Sequence, residues 1–215
     1  MIKVEHIVTW GFEHAIRGMR NPLNSWDRSD SKFDYDKMCL GENDLTLMRK
    51  LYAAGQPHRK YLRQIFVSMD ITAPLYWWKE FDTYKVGTTA NSCSTMHKLT
   101  AKEFTIEDFS FEDCDRWTKD VVCSCVINAL NMNRLKYLET KDKELWRQMV
   151  QLLPSSYNQR RTVTMTYENV MNILDYRQGH KLSEWNEYCD ILMAGLPYVA
   201  DLRNTKKDKN LSEMY

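Results

Sequence analysis

Two groups of side chains in this 215-residue sequence are suited to binding a charged ligand. The first is the run KVGTTANSCST at residues 85–95, whose hydroxyls and backbone N–H groups suit an anion or the edge of a heterocycle. The second consists of Arg160, Arg161 and Arg177, with Asn172 among them. Arginine binds phosphate through a planar fork and keeps its charge, although from the residues alone a surface salt bridge is the favoured role of each arginine.

The common catalytic and phosphate-binding motifs are absent from the sequence. It contains neither G-x-G-x-x-G nor a Walker loop, neither H-E-x-x-H nor G-x-S-x-G, and its five histidines form no ligand pattern. Cys93 and His97 could suggest a thiol nucleophile with its base. Catalytic partners meet in space rather than along the chain, so a structural role for Cys93 is the favoured interpretation.

The composition limits the classes of protein to which the chain can belong. Lys and Arg number 30 against 29 Asp and Glu, so the net charge of +1 argues against bulk binding of a polyanion. Only 7 Gly and 5 Pro favour long helices over many short strands. The length suits one domain, predicted at residues 1–215, with a variable N-terminal part at 1–40 and a frayed tail at 204–215.

Compartment and redox state follow from two further features. No apolar stretch approaches a membrane span and the first residues lack a signal-peptide profile, so we expect a cytoplasmic protein. Its six cysteines are then expected to stay reduced. Cys123 and Cys125 are close together, but no second pair accompanies them, so a zinc site is not predicted.

The first half of the chain alternates helical and strand-like patterns. Asp44 is predicted to cap a helix that ends near Gly55, and a strand is predicted over residues 64–71. Ala73-Pro74 is predicted to begin the next helix, and residues 87–95 are predicted to form a loop. The polar stretch at residues 17–26 suits either a ligand loop or a well-packed turn.

The second half is dominated by helical patterns. A long helix is predicted over residues 115–138, followed by shorter helices over 141–153 and 167–176. A strand is predicted over 160–165, and a last helix over 182–202 with an interruption near 195–197. The predicted buried side of the long helix consists of Trp117, Val121, Val122, Cys125, Val126, Leu130 and Leu135.

Motif, element order and spacing together resemble the flavin-dependent thymidylate synthases over about residues 40–200. That family's motif R-H-R-x-x-S-x-N-E-x-S-x-R follows a strand, an Ala-Pro and an aromatic-rich helix, and here Asn91 and Ser94 match its N-E-x-S portion. Farther on, the family has an Arg after a Leu-Pro turn, the run L-M-N-F-L, an Arg and then H-A-Q-x-E. The matching residues here are Leu153-Pro154, Arg160, Val170-Met171-Asn172-Ile173-Leu174, Arg177, His180 and Glu184.

The resemblance implies an α+β fold in which a small antiparallel sheet packs with long helices. It also implies the reductive methylation of dUMP to dTMP, with methylenetetrahydrofolate as one-carbon donor, FAD as cofactor and NADPH as reductant. The family is homotetrameric, and its nucleotide and FAD sites lie between subunits. Its chemistry needs no protein nucleophile, in keeping with the weak case for Cys93.

The resemblance also implies roles for individual residues. Arg160 would bind the nucleotide phosphate, and Arg177 would act catalytically by facing the pyrimidine ring and favouring ionisation at its N3. The nucleotide would also contact Ser92, Cys93 and Ser94. The residues implied for FAD are Tyr84, Lys85, Asn91 and Asn172.

The sequence departs from the family motif at several charged positions. Thr83-Tyr84-Lys85 stands where the family has Arg-His-Arg, Ser92 replaces the motif glutamate, and Met96 replaces its last arginine. Thr166 and Glu168 stand where the family has Asn and Arg before the L-M-N run. Two other functions are therefore open: a related one-carbon transfer to another pyrimidine nucleotide, and a non-catalytic protein that binds a nucleotide.

Overall fold

The computed structural model describes residues 2–34 and 37–205. The strands, in chain order, are β1 (Lys3–Trp10), β2 (Lys32–Asp34), β3 (Lys37–Cys39), β4 (Phe66–Pro74), β5 (Thr88–Ser92) and β6 (Asn158–Thr166). The α-helices are α1 (Phe12–Arg20), α2 (Glu42–Ala53), α3 (Leu75–Phe81), α4 (Arg116–Val121), α5 (Asn128–Thr140), α6 (Lys143–Leu152), α7 (Tyr167–Arg177), α8 (Ser183–Gly195) and α9 (Val199–Thr205).

A four-stranded sheet with the strand order β1-β4-β6-β5 forms the β part of the fold. The short strands β2 and β3 form a separate antiparallel pair, in which Phe33 lies opposite Met38. The predicted α+β fold, with a small antiparallel sheet and long helices, is confirmed.

Contacts along the chain divide it into two compact units. The first unit contains residues 2–5, Asp70–Thr83 and Ala90–Thr162. The second unit contains His6–Met69, Tyr84–Thr89 and residues 163–205. That the whole chain behaves as one domain with a variable N-terminal part stays a prediction. Of the predicted frayed tail, Asn204 and Thr205 belong to α9, and residues 206–215 lie outside the described residues.

Each unit has its own apolar core. In the first unit, Leu130 and Met149 bring α5 and α6 together over Phe104 and Phe109. In the second unit, α7 is buried almost all round, which explains why apolar residues occupy more than one of its faces. Its partners there include the fully buried Trp185 and Tyr188 of α8.

The strand predicted over residues 64–71 corresponds to β4, and its period-two pattern is confirmed. Val67, Met69 and Ile71 are buried, while the residues between them are only half-buried. The helix predicted to begin at Ala73-Pro74 is present as α3, which starts at Leu75 with Pro74, the last residue of β4, as its N-cap. The backbone N–H of Leu75 donates to the carbonyl of Tyr157 at 3.0 Å, so strand-like pairing continues to the first residue of α3.

The predicted helix cap at Asp44 is wrong. The helix α2 begins at Glu42, and Asp44 lies inside its first turn. The carboxylate of Asp30 accepts hydrogen bonds from the N–H groups of Asn43 and Asp44, at 3.0 and 3.1 Å, and so takes the capping role. The side chain of Asp44 instead points into the protein, where it is fully buried.

Gly11, before α1, must be a glycine for two reasons. Its φ is 91°, a left-handed conformation that side chains disfavour. A Cβ atom at this position would also lie 2.2 Å from the carbonyl oxygen of Gln64. The close approach allows α1 to start directly after β1.

The predicted long helix is present, but its buried side differs from the prediction. Helical structure runs from Arg116 to Thr140, interrupted by a π-helix at Val122–Ile127. The π-helix adds a residue to a turn and shifts the faces of the helix that follows, which a constant period of 3.6 cannot anticipate. Leu130 is buried, and Val122 and Val126 pack against the core. The side chains of Trp117, Val121, Cys125 and Leu135 are exposed.

The remaining helix and strand predictions are confirmed within a few residues. The predicted elements at 141–153, 160–165 and 167–176 correspond to α6, β6 and α7. The last predicted helix is divided into α8 and α9 near Leu196-Pro197, as expected. Within the described residues, no helix is both long enough and apolar enough to cross a bilayer.

Candidate functional site

Arg177 occupies a defined aromatic setting in the second unit. It is the last residue of α7, and its Nε donates a hydrogen bond to the hydroxyl of Tyr84 at 3.0 Å. Its guanidinium carbon lies 4.8 Å from the ring centroid of Trp185 and 5.6 Å from that of Tyr84. Both distances suit cation–π attraction, so the charge is held in one place. Tyr84 and Arg177, predicted separately, are therefore in direct contact.

His180 completes the surroundings of Arg177. Its Nε2 lies 3.3 Å from Nη1 of Arg177, and the backbone N–H of Leu182 points to its Nδ1 at 3.2 Å. A neutral imidazole accepts through only one nitrogen, so one tautomer satisfies only one of these two contacts. His180 is therefore a direct neighbour of the Arg177 guanidinium. In the described part of the chain, no group of three or more His, Cys, Asp or Glu side chains is placed to hold a metal ion.

Asn172 is held by a buried ion pair. Nη2 of Arg59 lies 3.1 Å from Oε1 of Glu168 and donates to Oδ1 of Asn172 at 3.3 Å. Arg59 and Glu168 are both more than nine-tenths buried. No local sequence signal points to Arg59, because its partner Glu168 lies 109 residues farther along the chain.

The turn that contains Lys85 is anchored on the start of α7. The backbone N–H of Thr166 donates to the carbonyl of Gly87 at 3.1 Å, and Nδ2 of Asn169 donates to Oγ1 of Thr88 at 2.7 Å. Gly87 has a φ of 72°, and a Cβ there would lie 3.2 Å from a methyl group of Thr166. The side chain of Lys85 is exposed and forms no ion pair among the described residues.

In the first unit, Arg160 is already paired with a carboxylate. Its Nη2 lies 2.6 Å from Oδ2 of Asp70, and Glu5 lies 4.0 Å from its Nη1. The hydrogen bond and charge of Asp70 raise the pKa of Arg160 above its usual value. The hydroxyl of Thr162 donates to the other oxygen of Asp70 at 2.5 Å. Arg160 is half-exposed, so a ligand that binds it must compete with Asp70.

The predicted nucleotide-binding loop is partly a strand. Thr88–Ser92 forms β5, and the backbone N–H of Cys93 donates to the carbonyl of Arg160 at 2.8 Å. The pairing with β6 thus decides the conformation of a polar run whose sequence predicted a loop. Ser94 follows the strand, and its Oγ accepts from the N–H groups of Met96 and His97, at 3.2 and 2.9 Å. The side chains of Asn91, Ser92 and Cys93 are exposed.

Gln159, which the sequence did not single out, and Arg161 hold this strand end in place. Gln159 is buried and donates through Nε2 to the carbonyl of Cys93 at 2.8 Å. Its Oε1 accepts from Nε of Arg161 at 2.9 Å. The guanidinium of Arg161 lies 4.2 Å from the ring centroid of Trp78 and pairs with Asp82 at 2.8 Å. The guanidinium of Arg161 is therefore engaged in contacts within the first unit and is not available for a phosphate.

The cysteines have free thiols. Burial raises the pKa of Cys189 to about 11, so this thiol stays protonated at neutral pH. Cys93 is exposed and forms hydrogen bonds through its backbone N–H and carbonyl groups, which agrees with a structural rather than a nucleophilic role.

Two clefts of the second unit are large enough for small molecules. One of about 620 Å³ is lined mainly by apolar residues, among them Met19 and Leu51, with His58 and Lys60 at its wall. The other, of about 730 Å³, is lined by Arg20, Arg28 and Lys50, among others. Neither is lined by any residue predicted from the sequence to bind a nucleotide or FAD.

The fold matches that of known structures although the sequence has no detected relative. No protein-family model and no curated protein sequence matches the chain. A crystal structure of thymidylate synthase X (ThyX) from Helicobacter pylori with FAD and dUMP is similar at a TM-score of 0.71 and 16% identity, over 96% of this chain and 100% of that chain. A second ThyX structure from the same organism, complexed with FAD and dUMP, has a TM-score of 0.67 and 16% identity, over 96% and 98%. The chain therefore has the fold of these flavin-dependent thymidylate synthases.

Proposed function

We propose that this chain is a divergent flavin-dependent thymidylate synthase. In this proposal it converts dUMP to dTMP with methylenetetrahydrofolate as one-carbon donor, FAD as cofactor and NADPH as reductant. The observation that carries the proposal is Arg177, a cation in contact with the rings of Tyr84 and Trp185 at the position that the resemblance assigns to the pyrimidine. The shared fold supports the proposal, because the ThyX structures to which the chain is similar contain FAD and dUMP.

The nucleotide would be bound by groups with complementary charge. Arg177 would stabilise negative charge that develops on the pyrimidine when its N3 loses a proton, since a nearby cation favours the ionised form. Arg160 would pair with the phosphate, and the strand end at Ser92, Cys93 and Ser94 would offer hydroxyl and backbone N–H groups. Each of these residues remains a proposed contact.

The residues proposed for FAD have suitable chemistry. Lys85 offers a free ammonium group for a pyrophosphate, and Tyr84 offers an aromatic ring. Asn172 uses its Oδ1 to accept from Arg59, which leaves its Nδ2 group as a donor for a carbonyl oxygen. Asn91 is exposed at β5 and offers both a donor and an acceptor. When bound and reduced, FAD would supply the hydride for the methyl group.

Self-association accompanies this proposal. The family is homotetrameric, and its sites are built between subunits. The helical segment of the first unit exposes large apolar side chains, with Trp117 exposed at 73%, Met132 at 51% and Leu135 at 56%. Large exposed apolar side chains are common on surfaces that another protein covers. We propose a cytoplasmic homotetramer in which such surfaces meet.

The first test is the absorption spectrum of purified protein after addition of FAD and removal of the unbound cofactor. We expect the visible bands of bound flavin, because Lys85, Asn172 and Tyr84 offer the charges and donors that FAD needs. The variant Lys85→Ala should retain less flavin, while Lys3→Ala, which changes an exposed lysine outside the proposed site, should retain the wild-type amount. A colourless wild-type protein would contradict the proposal.

Two other functions are separated by product analysis. Asn172 is held by Arg59, and Glu168 stands where the resemblance has an arginine, which favours a nucleotide-binding protein without catalysis as the alternative. That protein would bind dUMP but form no dTMP when flavin, methylenetetrahydrofolate and NADPH are supplied. A related one-carbon transfer would instead modify another pyrimidine nucleotide, so dUMP and dCMP should be compared as substrates.

Asp70 is expected to compete with the nucleotide phosphate for Arg160. The variant Asp70→Asn removes the negative charge that lies 2.6 Å from the guanidinium and should therefore tighten dUMP binding about twofold to fivefold, the range of a partly exposed ion pair. Calorimetric titration measures the change. Thr162→Val, which removes only the hydroxyl that donates to Asp70, serves as control and should leave the affinity within about twofold. Weaker binding by Asp70→Asn would exclude Arg160 as the phosphate ligand.

A further inference from the structure

A polar cleft of the second unit lies outside the proposed nucleotide and FAD residues. It has a volume of about 730 Å³, and we call it the basic cleft because its lining includes Arg20, Arg28 and Lys50. The end of α1, the residues that follow it and one face of α2 build its walls. Its volume falls in the range of small-molecule sites in proteins.

One face of α2 supplies donors to the basic cleft. Asn43, Thr46 and Lys50 all line it, and their spacing of three and four residues places them on the same side of the helix. Lys50 is half-buried, yet it forms no ion pair with any described residue. A lysine that is partly removed from water usually has an acidic partner, so its isolation favours an external anion.

The opposite wall adds a second cation without a partner. The exposed side chain of Arg28 also forms no ion pair within the part of the chain that the structure describes. Asp27 is the carboxylate of the lining and offsets part of the positive charge. Leu23 and Leu47 line the cleft beside these charges, so an organic group could contact apolar surface there.

The third cation that lines the basic cleft, Arg20, is buried and already has a partner. The residue is only 4% exposed, and its Nε donates to Asp44 while its Nη1 donates to the carbonyl of Ser25 at 3.2 Å. Its Nη2 has no hydrogen-bond partner in the structure. Nη2 is buried, and Asp44 offsets the charge of Arg20, so Arg28 and Lys50 are the lining cations that remain for an anion.

We propose that the basic cleft binds the phosphate group of a small molecule. A phosphate has several acceptor oxygens and carries more charge than a carboxylate, so it can pair with Arg28 and Lys50 together. The proposal does not depend on thymidylate synthesis, because no residue of the basic cleft belongs to the proposed nucleotide or FAD site.

Calorimetric titration of the full chain at constant ionic strength tests the proposal with two probes, inorganic phosphate and glycerol phosphate. We expect saturable binding with a dissociation constant of about 1 mM or lower for at least one probe. Tighter binding of glycerol phosphate would identify an organic phosphate as the ligand, and tighter binding of inorganic phosphate would identify the free ion. Absence of saturable binding for both probes would overturn the proposal.

Variants that remove either a positive or a negative charge from the basic cleft test whether the phosphate binds there. Arg28→Ala and Lys50→Ala should each weaken phosphate binding about tenfold. Asp27→Asn should tighten phosphate binding, because this change removes a negative charge of the lining that repels the phosphate. Arg116→Ala changes a 95% exposed arginine of the first unit and should leave binding unchanged. Equal affinity of wild type, Arg28→Ala and Lys50→Ala would place the bound phosphate elsewhere and refute the assignment.

Discussion

Replacing Asp44 with alanine is expected to lower the free energy of unfolding by about 3–5 kcal/mol, because the change leaves a buried charge without its partner. Asp44 is fully buried and accepts from Nε of Arg20 at 2.5 Å. The hydroxyls of Ser29 and Ser31 donate to its other oxygen at 2.8 and 2.6 Å. Backbone N–H groups of Asp30 and Ser31 add two further hydrogen bonds.

Denaturant unfolding of the full chain measures this change, and Asp27→Ala is the matched control. Asp27 is an exposed aspartate of the same region, so its removal should alter the free energy of unfolding by no more than about 0.5 kcal/mol. A loss of less than 1 kcal/mol for Asp44→Ala would mean that water replaces the carboxylate and that this network contributes little to stability.

The same residue should make the protein sensitive to acid. Burial alone would raise the pKa of Asp44, but the hydrogen bonds from Ser31, Arg20 and Ser29 outweigh it and hold that pKa below its usual range. A carboxyl group with a lowered pKa stabilises the folded state above its unfolded pKa of about 4 and loses this contribution as the pH falls through its folded value. Asp44→Asn should therefore lose less of its stability than wild type when the pH is lowered below about 4. Parallel curves of stability against pH would contradict the assignment.

Replacing Arg177 with alanine is expected to reduce kcat/KM for dTMP formation about 100-fold to 1000-fold. The removal of a fixed positive group from a site where charge develops has effects of this size. Arg177 contacts the rings of Tyr84 and Trp185, and neither of these side chains can supply the lost charge. The protein should still fold, because the guanidinium lies at the end of α7 and not in its apolar core.

The variant Arg177→Lys separates charge from geometry. Lysine keeps the charge but lacks the planar fork that donates to Tyr84 and stacks on Trp185, so only part of the activity should return. Arg116→Ala controls for the loss of one positive charge and should retain full activity. If Arg177→Ala kept activity and dUMP affinity within threefold of wild type, the pyrimidine would have to bind elsewhere. Flavin absorption should be compared in all three variants, to separate loss of substrate binding from loss of cofactor.

The local elements of this protein could be predicted where one periodic pattern decides them. The alternation of Val67, Met69 and Ile71 is a property of the chain itself, and it identified β4 because one face of that strand is buried. The apolar run before Arg177 identified α7 in the same way, and Arg177 itself could be proposed from its motif. Periodicity failed at Val122–Ile127, because a π-helix changes the period on which the prediction depends.

The partners of charged residues were decided by the tertiary structure. Asp44 has the sequence signature of a helix cap, but Asp30 caps that helix and Asp44 pairs with Arg20 instead. Arg59 and Glu168 carry no joint signal at a separation of 109 residues. Hydrogen bonds and ion pairs depend on distances of a few ångströms, and only the folded chain brings such groups together.

The sequence by itself therefore determined most of the helices and strands, the α+β class and the identity of Arg160, Asn172 and Arg177 as candidate binding residues. Only the tertiary structure decided which of their polar groups are available to a ligand. Arg160 is paired with Asp70, Asn172 is held by Arg59, and Arg177 is stacked on two aromatic rings. The physical reason is that the sequence determines which polar groups each side chain carries. The strength of an electrostatic interaction depends on the distance to its partner, and most of the partners here lie far away in the sequence.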